Sequence, residues 1–371
     1  MPGITLSPRP LALAAALLLA VPAAAQRHES NVIHVDGNHR LEVRLSGQVD
    51  FNDEGDWVTA VGPGGRLLVE ERGRGDDRRV EFTPGGDGGV AVRYLVDGRA
   101  RALDEEGRAW ARRVIREAVR ENGLGAERRV ARIRARRGVG GVLEEVAGIR
   151  SDVAKRVYYR ALLASGPMSG AEFGRVMDDV RQRVRSDVET RLVLVEAVDH
   201  AEGGRLAAVL RAAEGIDSDV ETRLVLHRAL ERHRLEDAAA RAAFFRAVEG
   251  IGSDVETRLV LHQAAARLRL AEGDTREAFF RAVDRMESDV ERRIVLSSVL
   301  RGDAPEATVV AALGSARGMR SDVERRIVLM QVPARLLRSP RVSAAYRAVV
   351  DAMGSDVERS LALRRLANET R

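Results

Sequence analysis

The sequence predicts a multidomain protein in which a small N-terminal antiparallel β module is followed by an all-α solenoid of two-helix repeats. Three observations predict this fold. Apolar residues alternate with a period of two between residues 40 and 103, and the period becomes helical from residue 104 onward. The tripeptide Ser-Asp-Val then recurs seven times at intervals of 32 to 35 residues. Such an interval is typical of stacked helical pairs, in which each unit buries its apolar face against its neighbours.

Residues 1–25 have the pattern of a secretory signal peptide. Arg9 provides a basic region, Leu11 to Val21 forms a short apolar core, and Ala23 to Ala25 provides a small-residue cleavage site. The apolar core is too short for a stable membrane span, and no second apolar stretch reaches that length. The sequence therefore predicts an exported protein, periplasmic or secreted, that is soluble after signal cleavage. An uncleaved N-terminal anchor is the alternative.

The composition excludes several classes of site. The chain has no cysteine, which excludes a disulfide framework, a lipoprotein anchor and thiolate metal or redox sites. The formal net charge is +5, but only 4% of the residues are aromatic. Because aromatic side chains provide the stacking platforms for nucleic acid bases, we expect no nucleic acid partner.

The segment after the signal is predicted to be a flexible lead, residues 26–39, because it shows no periodicity. Residues 40–103 contain some five short alternating runs separated by glycine-rich segments, which is typical of antiparallel strands joined by tight turns. The segment from Gly85 to Gly89 is predicted to be one of these hairpin turns. One apolar face of the sheet needs a partner, and we expect the following helices to cover it.

Residues 104–150 are predicted to form helices that link the β module to the repeats and cap them. Asp104 is the predicted N-cap of the first helix, with acidic residues in its first turn. Trp110, Val114 and Ile115 form an apolar stripe that is expected to dock on the sheet.

An arginine-rich run lies within these linking helices. Residues 111–137 contain ten arginines and three glutamates. Such a cluster can bind an anionic surface or an acidic partner, and a solvated helical face is the alternative. The candidate anion-binding patch comprises Arg112, Arg113, Arg116, Arg128, Arg129, Arg132, Arg134, Arg136 and Arg137.

Residues 151–354 are predicted to form six two-helix repeats of about 34 residues, and residues 355–371 a C-terminal capping helix. In six of the seven copies a glutamate stands three residues after the serine. This spacing predicts a capping box, in which the serine hydroxyl accepts from the glutamate N–H and the glutamate carboxylate accepts from the serine N–H. The predicted pairs are Ser186 with Glu189, Ser218 with Glu221, Ser253 with Glu256, Ser288 with Glu291, Ser321 with Glu324, and Ser355 with Glu358.

An aspartate follows each serine, and in six copies an arginine stands four residues after that aspartate. The two charges are predicted to pair either within one helix at i, i+4 or between successive units, and the sequence leaves this choice open. A calcium loop is excluded because the residue before the serine varies from arginine to glycine. In the unit that begins at Ser218, the first helix is expected to bury Val220, Leu224 and Leu226 or its neighbours.

The phrase Asp-Val-Glu-x-Arg followed by apolar residues resembles the second helix of HEAT-like repeats, over about 220 residues of the chain. A strand-rich module followed by Ser-Asp-Val-Glu repeats is also similar to an uncharacterised group of exported bacterial sequences. These in turn resemble extracytoplasmic regions of membrane proteins related to BlaR-type sensor peptidases. The resemblance implies a sensing or interaction role without catalysis, since the His-Glu-x-x-His helix of the peptidase portion is missing.

No catalytic constellation or cofactor motif is found in the sequence. His227 and His262 occupy equivalent positions in successive units, with His233 nearby, but the equivalent positions elsewhere hold unrelated residues. His34 and His39 lie in the predicted lead, and none of the five histidines is predicted to bind metal.

We therefore expect a non-catalytic scaffold or sensor-type module that binds another protein, of the envelope or membrane, through the surface of its repeat array. One alternative is a cell-envelope hydrolase with a site where the β module meets the helices. The other is an anionic-surface binder that acts through residues 111–137.

Overall fold

The structure is a computed structural model that describes residues 29–36, 39–73, 75–86, 88–301 and 303–370. The predicted signal peptide, residues 1–25, lies outside the described residues. The chain divides into two compact units. The β unit comprises the described residues up to Asn52 together with Val58–Ala111, and the helical unit comprises Asp53–Trp57 together with the residues from Arg112 onward.

The strands of the β unit confirm the predicted antiparallel module. Six of them form one antiparallel sheet in the order β1-β2-β5-β6-β7-β8, while β3 and β4 form a separate hairpin. The strands in the described residues are β1 (Glu29–Asp36), β2 (His39–Ser46), β3 (Val49–Phe51), β4 (Val58–Val61), β5 (Arg66–Arg72), β6 (Arg78–Pro84), β7 (Val90–Val96) and β8 (Arg99–Arg101).

Strand β1 corrects the prediction of a flexible lead at residues 29–36, while residues 26–28 and 37–38 of the predicted lead lie outside the described residues. All eight of its residues pair with β2, from Glu29 opposite Ser46 to Asp36 opposite His39. A strand at the edge of a sheet is held by backbone hydrogen bonds, so it does not require strong side-chain alternation. The predicted turn between Gly85 and Gly89 does close the β6–β7 hairpin, with the Gly85 N–H donating to the Gly89 carbonyl at 2.8 Å.

The core of the β unit includes the start of the first helix. Trp110 is buried, its ring lies 5.6 Å from that of Tyr94, and its Nε1 donates to the Glu71 carboxylate at 2.6 Å. A buried indole N–H needs such an acceptor. Val114 and Ile115, which were also predicted to dock on the sheet, are fully buried and belong to the helical unit.

The remaining elements in the described residues are sixteen α-helices and a short 3-10 turn at Gly203–Arg205. The helices are α1 (Glu105–Asn122), α2 (Ala126–Ala147), α3 (Asp152–Ala164), α4 (Gly170–Arg183), α5 (Asp187–Asp199), α6 (Leu206–Ala213), α7 (Asp219–Arg232), α8 (Ala238–Glu249), α9 (Asp254–Arg267), α10 (Gly273–Asp284), α11 (Asp289–Leu300), α12 (Glu306–Arg317), α13 (Asp322–Leu329), α14 (Ala334–Leu337), α15 (Pro340–Asp351) and α16 (Asp356–Thr370).

The helices confirm the predicted array of two-helix units. The first helices α3, α5, α7, α9, α11 and α13 each begin one residue after the serine of a Ser-Asp-Val copy, and each packs on the first helix of the next unit. The second helices pack on one another in the same way. The sixth unit departs from the pattern, because its second half is divided into α14 and α15.

In the unit that begins at Ser218, the core differs from the predicted burial at two positions, Val220 and Leu224, of which Leu224 is half-buried. In α7 the buried side chains are Thr222, Val225, Leu226, Ala229 and Leu230, a helical spacing of three and four residues. The valine expected to be buried, at position 220, is instead 43% exposed. It lies in the first turn of the helix, on the face opposite this stripe.

Candidate interaction surface

Each first helix begins with a serine N-cap. In all seven copies the serine hydroxyl accepts from the backbone N–H three residues later, at 3.2 to 3.4 Å. These distances lie at or beyond the long end of the usual range, so each bond is weak on its own. The serine half of the predicted capping box is confirmed.

The glutamate half of the capping box is wrong. The serine N–H donates instead to the aspartate that begins the first helix of the preceding unit. The Ser253 N–H donates to Asp219 Oδ2 at 2.8 Å, and the Gly252 N–H donates to Oδ1 of the same carboxylate at 3.1 Å. The other aspartates that bind two consecutive N–H groups of the next unit are Asp152, Asp187, Asp254, Asp289 and Asp322.

In the first unit, the carboxylate that accepts from the two N–H groups belongs to a helix outside the repeats. Glu121, near the end of α1, accepts from the Ser151 N–H at 2.9 Å and from the Arg150 N–H at 3.1 Å. Its carboxylate is buried. Helix α1 therefore supplies the N-terminal cap of the array with a glutamate where the repeats use an aspartate.

The glutamate of each Ser-Asp-Val-Glu phrase binds the arginine of the preceding unit. Arg191 Nε and Glu221 Oε2 are 2.7 Å apart. Both pairings left open by the sequence are therefore wrong, since the arginine binds neither the aspartate of its own helix nor that of a neighbour. The equivalent pairs are Arg156 with Glu189, Arg223 with Glu256, Arg258 with Glu291, Arg293 with Glu324, and Arg326 with Glu358.

Charge and burial oppose each other at the capping aspartates. Burial by itself raises the pKa of Asp152, but hydrogen bonds from Lys155 Nζ and from two backbone N–H groups outweigh it, so its pKa is lowered. Asp322 follows the same pattern, with Arg325 in the place of the lysine. Both aspartates are therefore held as carboxylates, the form that can accept from two N–H groups.

The valine of every Ser-Asp-Val copy lies on the surface, and these seven residues are called the valine row. The five internal copies from Val188 to Val323 are 43 to 46% exposed, while Val153 is 50% and Val357 is 67% exposed. Four residues further along each helix, on the same face, stands a half-buried aliphatic residue. The aliphatic residues are Val157, Leu192, Leu224, Leu259, Ile294, Ile327 and Leu361.

The valine row was not predicted, although the sequence carried a signal for it. The sequence predicts burial for Val220, the aliphatic residue at the second position of the Ser218 helix, and the same residue type recurs at this position in all seven copies. The apolar residues in the second and third turns of each first helix form a continuous stripe at helical spacing, and the valine is not part of it. This stripe indicates which face of the helix is buried.

The arginines of the candidate anion-binding patch are mostly bound to other groups of the helical unit. Arg116 pairs with Asp56 at 2.7 Å, and Arg129 pairs with Glu145 at 2.9 Å. Asp53 lies 2.8 Å from Arg132 and 3.2 Å from Arg136. The remaining contacts are Arg113 with Glu117, Arg137 with Glu144, and Arg134 with Ser165 and two carbonyls, while Arg112 and Arg128 are exposed.

An external anion would compete with these carboxylates for the same guanidinium groups. The net positive charge of the run is therefore largely compensated within the helical unit. Binding of an anionic surface by residues 111–137 stays a prediction.

The histidines do not converge. His227 is half-buried, where burial and the neighbouring Arg223 guanidinium lower its pKa, and His262 is exposed. The His233 ring lies 2.9 Å from the Val198 carbonyl, and His34 and His39 belong to β1 and β2. In the part of the chain that the structure describes, no three His, Cys, Asp or Glu side chains are grouped so as to hold a metal ion.

Comparison of the chain with protein-family models, curated proteins and solved structures finds no match. The repeated helical packing therefore rests on the structure itself, and no relative supports the similarity to sensor peptidases. Among the described helices none has the length and apolar character needed to cross a membrane.

Proposed function

We propose that this chain is an exported, non-catalytic scaffold that binds another protein through the first-helix face of its repeat array. The observation that carries the proposal is the valine row, in which one apolar side chain per unit is 43 to 67% exposed in seven successive copies. Scattered exposed apolar residues are common on protein surfaces, but an ordered apolar surface is typical of a binding site.

The surroundings of the valine row support a protein partner. The row is flanked by the arginine–glutamate pairs that join successive units, so apolar groups stand beside polar ones as in the core and rim of protein interfaces. The capping aspartates fix each unit to the next through backbone hydrogen bonds. A surface held in this way loses little conformational entropy on binding.

The location of the partner is proposed from the N-terminal sequence. The signal-peptide pattern of residues 1–25 supports export, and the similarity to extracytoplasmic regions of sensor peptidase relatives supports an envelope or membrane-associated partner. A sensing role fits the same surface, with the scaffold presenting a ligand or a partner to a membrane protein.

The proposal is tested by crosslinking in cells that produce the protein naturally, followed by affinity purification and mass spectrometry. The test variant carries Val220→Glu, Val255→Glu and Val290→Glu, which place charge on the row without touching the core. The matched control carries Ala239→Glu, Ala307→Glu and Ala344→Glu, three exposed positions on second helices.

We expect one envelope protein to be captured by the wild type and by the control and lost with the valine variant. The purified pair should then bind in vitro with the same dependence on the valine row. Equal capture by the valine variant would refute this surface. A variant lacking residues 186–354 that still captures the partner would refute the repeat array as a whole.

A further inference from the structure

A cavity of about 530 Å³ lies between the third and fourth units, at the ends of their first helices. It is formed by the segment that follows α7 and by the segment that follows α9. Leu230 and Leu268 contribute apolar surface, and Thr275 contributes a buried hydroxyl. This volume falls within the range of about 300–1,000 Å³ that is typical of ligand sites.

The cavity is rich in arginine. Five arginines and three glutamates line it. Arg232 is paired with Asp199 at 3.0 Å, and Arg269 lies 4.0 Å from Glu272. Arg234 and Arg267 are exposed and have no hydrogen-bond or ion-pair partner among the described residues. Two guanidinium groups, one from each unit, are therefore available to a ligand.

The two segments that form the cavity share a sequence that the other units lack. Arg-x-Arg-Leu occurs at residues 232–235 and 267–270, and nowhere else in the repeat array. Each segment is held by an arginine of its own second helix. Arg241 donates to the carbonyls of Leu235 and Glu236 at 3.2 and 3.3 Å, and Arg276 donates to the Ala271 carbonyl at 2.9 Å.

The backbone of the first segment is strained. Leu235 has a φ of 52° although it is buried, a conformation that a branched side chain rarely adopts. Such strain persists only where the surrounding structure holds it, and it is concentrated at functional sites. The His233 ring, 2.9 Å from the Val198 carbonyl, and the Arg241 guanidinium hold this segment in place.

We propose that this cavity binds an acidic peptide segment, with Arg234 and Arg267 as the groups that recognise its carboxylates. A guanidinium fork pairs with a carboxylate through two parallel hydrogen bonds. The same cavity contains the carboxylates of Glu236 and Glu272. These can accept from the backbone N–H groups that a peptide carries and inorganic phosphate lacks, which favours the peptide. The apolar side chains of the cavity suit aliphatic residues next to the acidic ones.

The site lies at the opposite ends of the first helices from the valine row, so it can be refuted without refuting the proposed scaffold surface, and the reverse also holds. Its test is isothermal titration calorimetry of the full chain with an end-blocked peptide, Leu-Glu-Leu-Glu. The same peptide with glutamine in place of glutamate is the charge control, and inorganic phosphate is a separate titrant.

We expect the glutamate peptide to bind and the glutamine peptide to bind at least about tenfold more weakly. The variant Arg234→Gln with Arg267→Gln should lose affinity for the glutamate peptide to a similar extent. It should fold normally, since neither side chain has a partner in the described structure. The control Arg211→Gln with Arg347→Gln removes two exposed, unpaired arginines elsewhere and should bind as the wild type does.

Three results of the peptide titrations would overturn the proposal, and one result of the phosphate titration would do so as well. They are no heat of binding for the glutamate peptide with the wild type, equal affinity for the two peptides, and unchanged affinity in the Arg234 and Arg267 variant. Binding of inorganic phosphate in preference to the glutamate peptide would assign the cavity to a phosphate ligand and refute the peptide.

Discussion

The two ends of the first helices differ in how much they vary from unit to unit. At the N-terminal ends the same serine cap, the same aspartate bond to the next unit and the same exposed valine recur along the array. At the C-terminal ends the connecting segments differ in length and sequence, and the arginine-lined cavity lies between the third and fourth units, whose segments share Arg-x-Arg-Leu.

This difference follows from the packing of a repeat array. The N-terminal end of each first helix contacts the next unit in the same geometry. The same aspartate position therefore binds two N–H groups of the next unit in six successive copies. The C-terminal ends are joined to the second helices by loops that run over the surface, where sequence changes cost little. The N-terminal ends of the first helices therefore provide a continuous surface, whereas the C-terminal ends differ enough in sequence to form a cavity between one particular pair of units.

The largest effect is expected from Asp219→Ala. This change leaves the Gly252 and Ser253 N–H groups without their acceptor and should lower the free energy of unfolding by about 2–3 kcal/mol. Urea unfolding followed by circular dichroism measures it, and amide hydrogen exchange at the two residues should accelerate. Asp356→Ala is the matched control, because that carboxylate is 91% exposed and caps no following unit in the described chain. If both variants are equally stable, the bonds to the next unit do not contribute as inferred.

Acid should weaken the same bonds. The native pKa of Asp152 is lowered, so its contribution to stability is complete above the unfolded pKa of about 3.9 and is lost as pH falls through the native value. The difference in unfolding free energy between the wild type and Asp152→Asn should be constant near neutral pH and shrink below about pH 4. A difference that does not change with pH would show that the carboxylate charge is not responsible.

Loss of one serine cap should have a smaller effect. Ser253→Ala removes the acceptor of the Glu256 N–H but leaves the aspartate bond to the Ser253 N–H intact. We expect the free energy of unfolding to fall by about 1 kcal/mol or less, since the hydroxyl bond is long. Ser253→Asp should restore most of the loss, because a carboxylate also caps a helix. A loss as large as that of Asp219→Ala would reverse the ranking of the two bonds.

A double-mutant cycle distinguishes a capping box within one helix from the arginine–glutamate ion pair between successive units. Glutamine functions in a capping box, so Glu256→Gln would be neutral if Glu256 capped its own helix. Because Glu256 pairs instead with Arg223, a cycle with Arg223→Met should give a coupling energy of about 0.5–1 kcal/mol. A coupling of zero would show that the ion pair adds nothing to stability.

The smallest effect is expected on the valine row itself. Val220→Glu changes a side chain that is 43% exposed and lies outside the buried stripe of α7, so stability should change by less than about 0.5 kcal/mol. Thermal unfolding measures this change. A large loss would mean that the valine stabilises the fold, and partner binding would then have to be tested with milder substitutions such as Val220→Thr.

The sequence predicted the features that depend on neighbours along the chain. The five alternating runs predicted β2, β4, β5, β6 and β7 but not the short strands β3 and β8. The recurring Ser-Asp-Val predicted the start of each first helix, and the serine caps follow from a hydroxyl and an N–H only three residues apart. These features were predictable because helix starts and strand periods are set by local backbone geometry and by the side chains within one or two turns.

Only the tertiary structure decided the partners of the charged residues and the exposed face. Glu256 could bind Ser253 or Arg223, and Asp219 could bind Arg223 or the amides of Gly252 and Ser253, since every one of these groups is an acceptable partner in isolation. The choice depends on the approach of a unit more than thirty residues away, which brings two unsatisfied N–H groups to the aspartate. The same stacking buries the stripe that includes Val225 and leaves the valine row exposed, because a helix can present only one face to its neighbours.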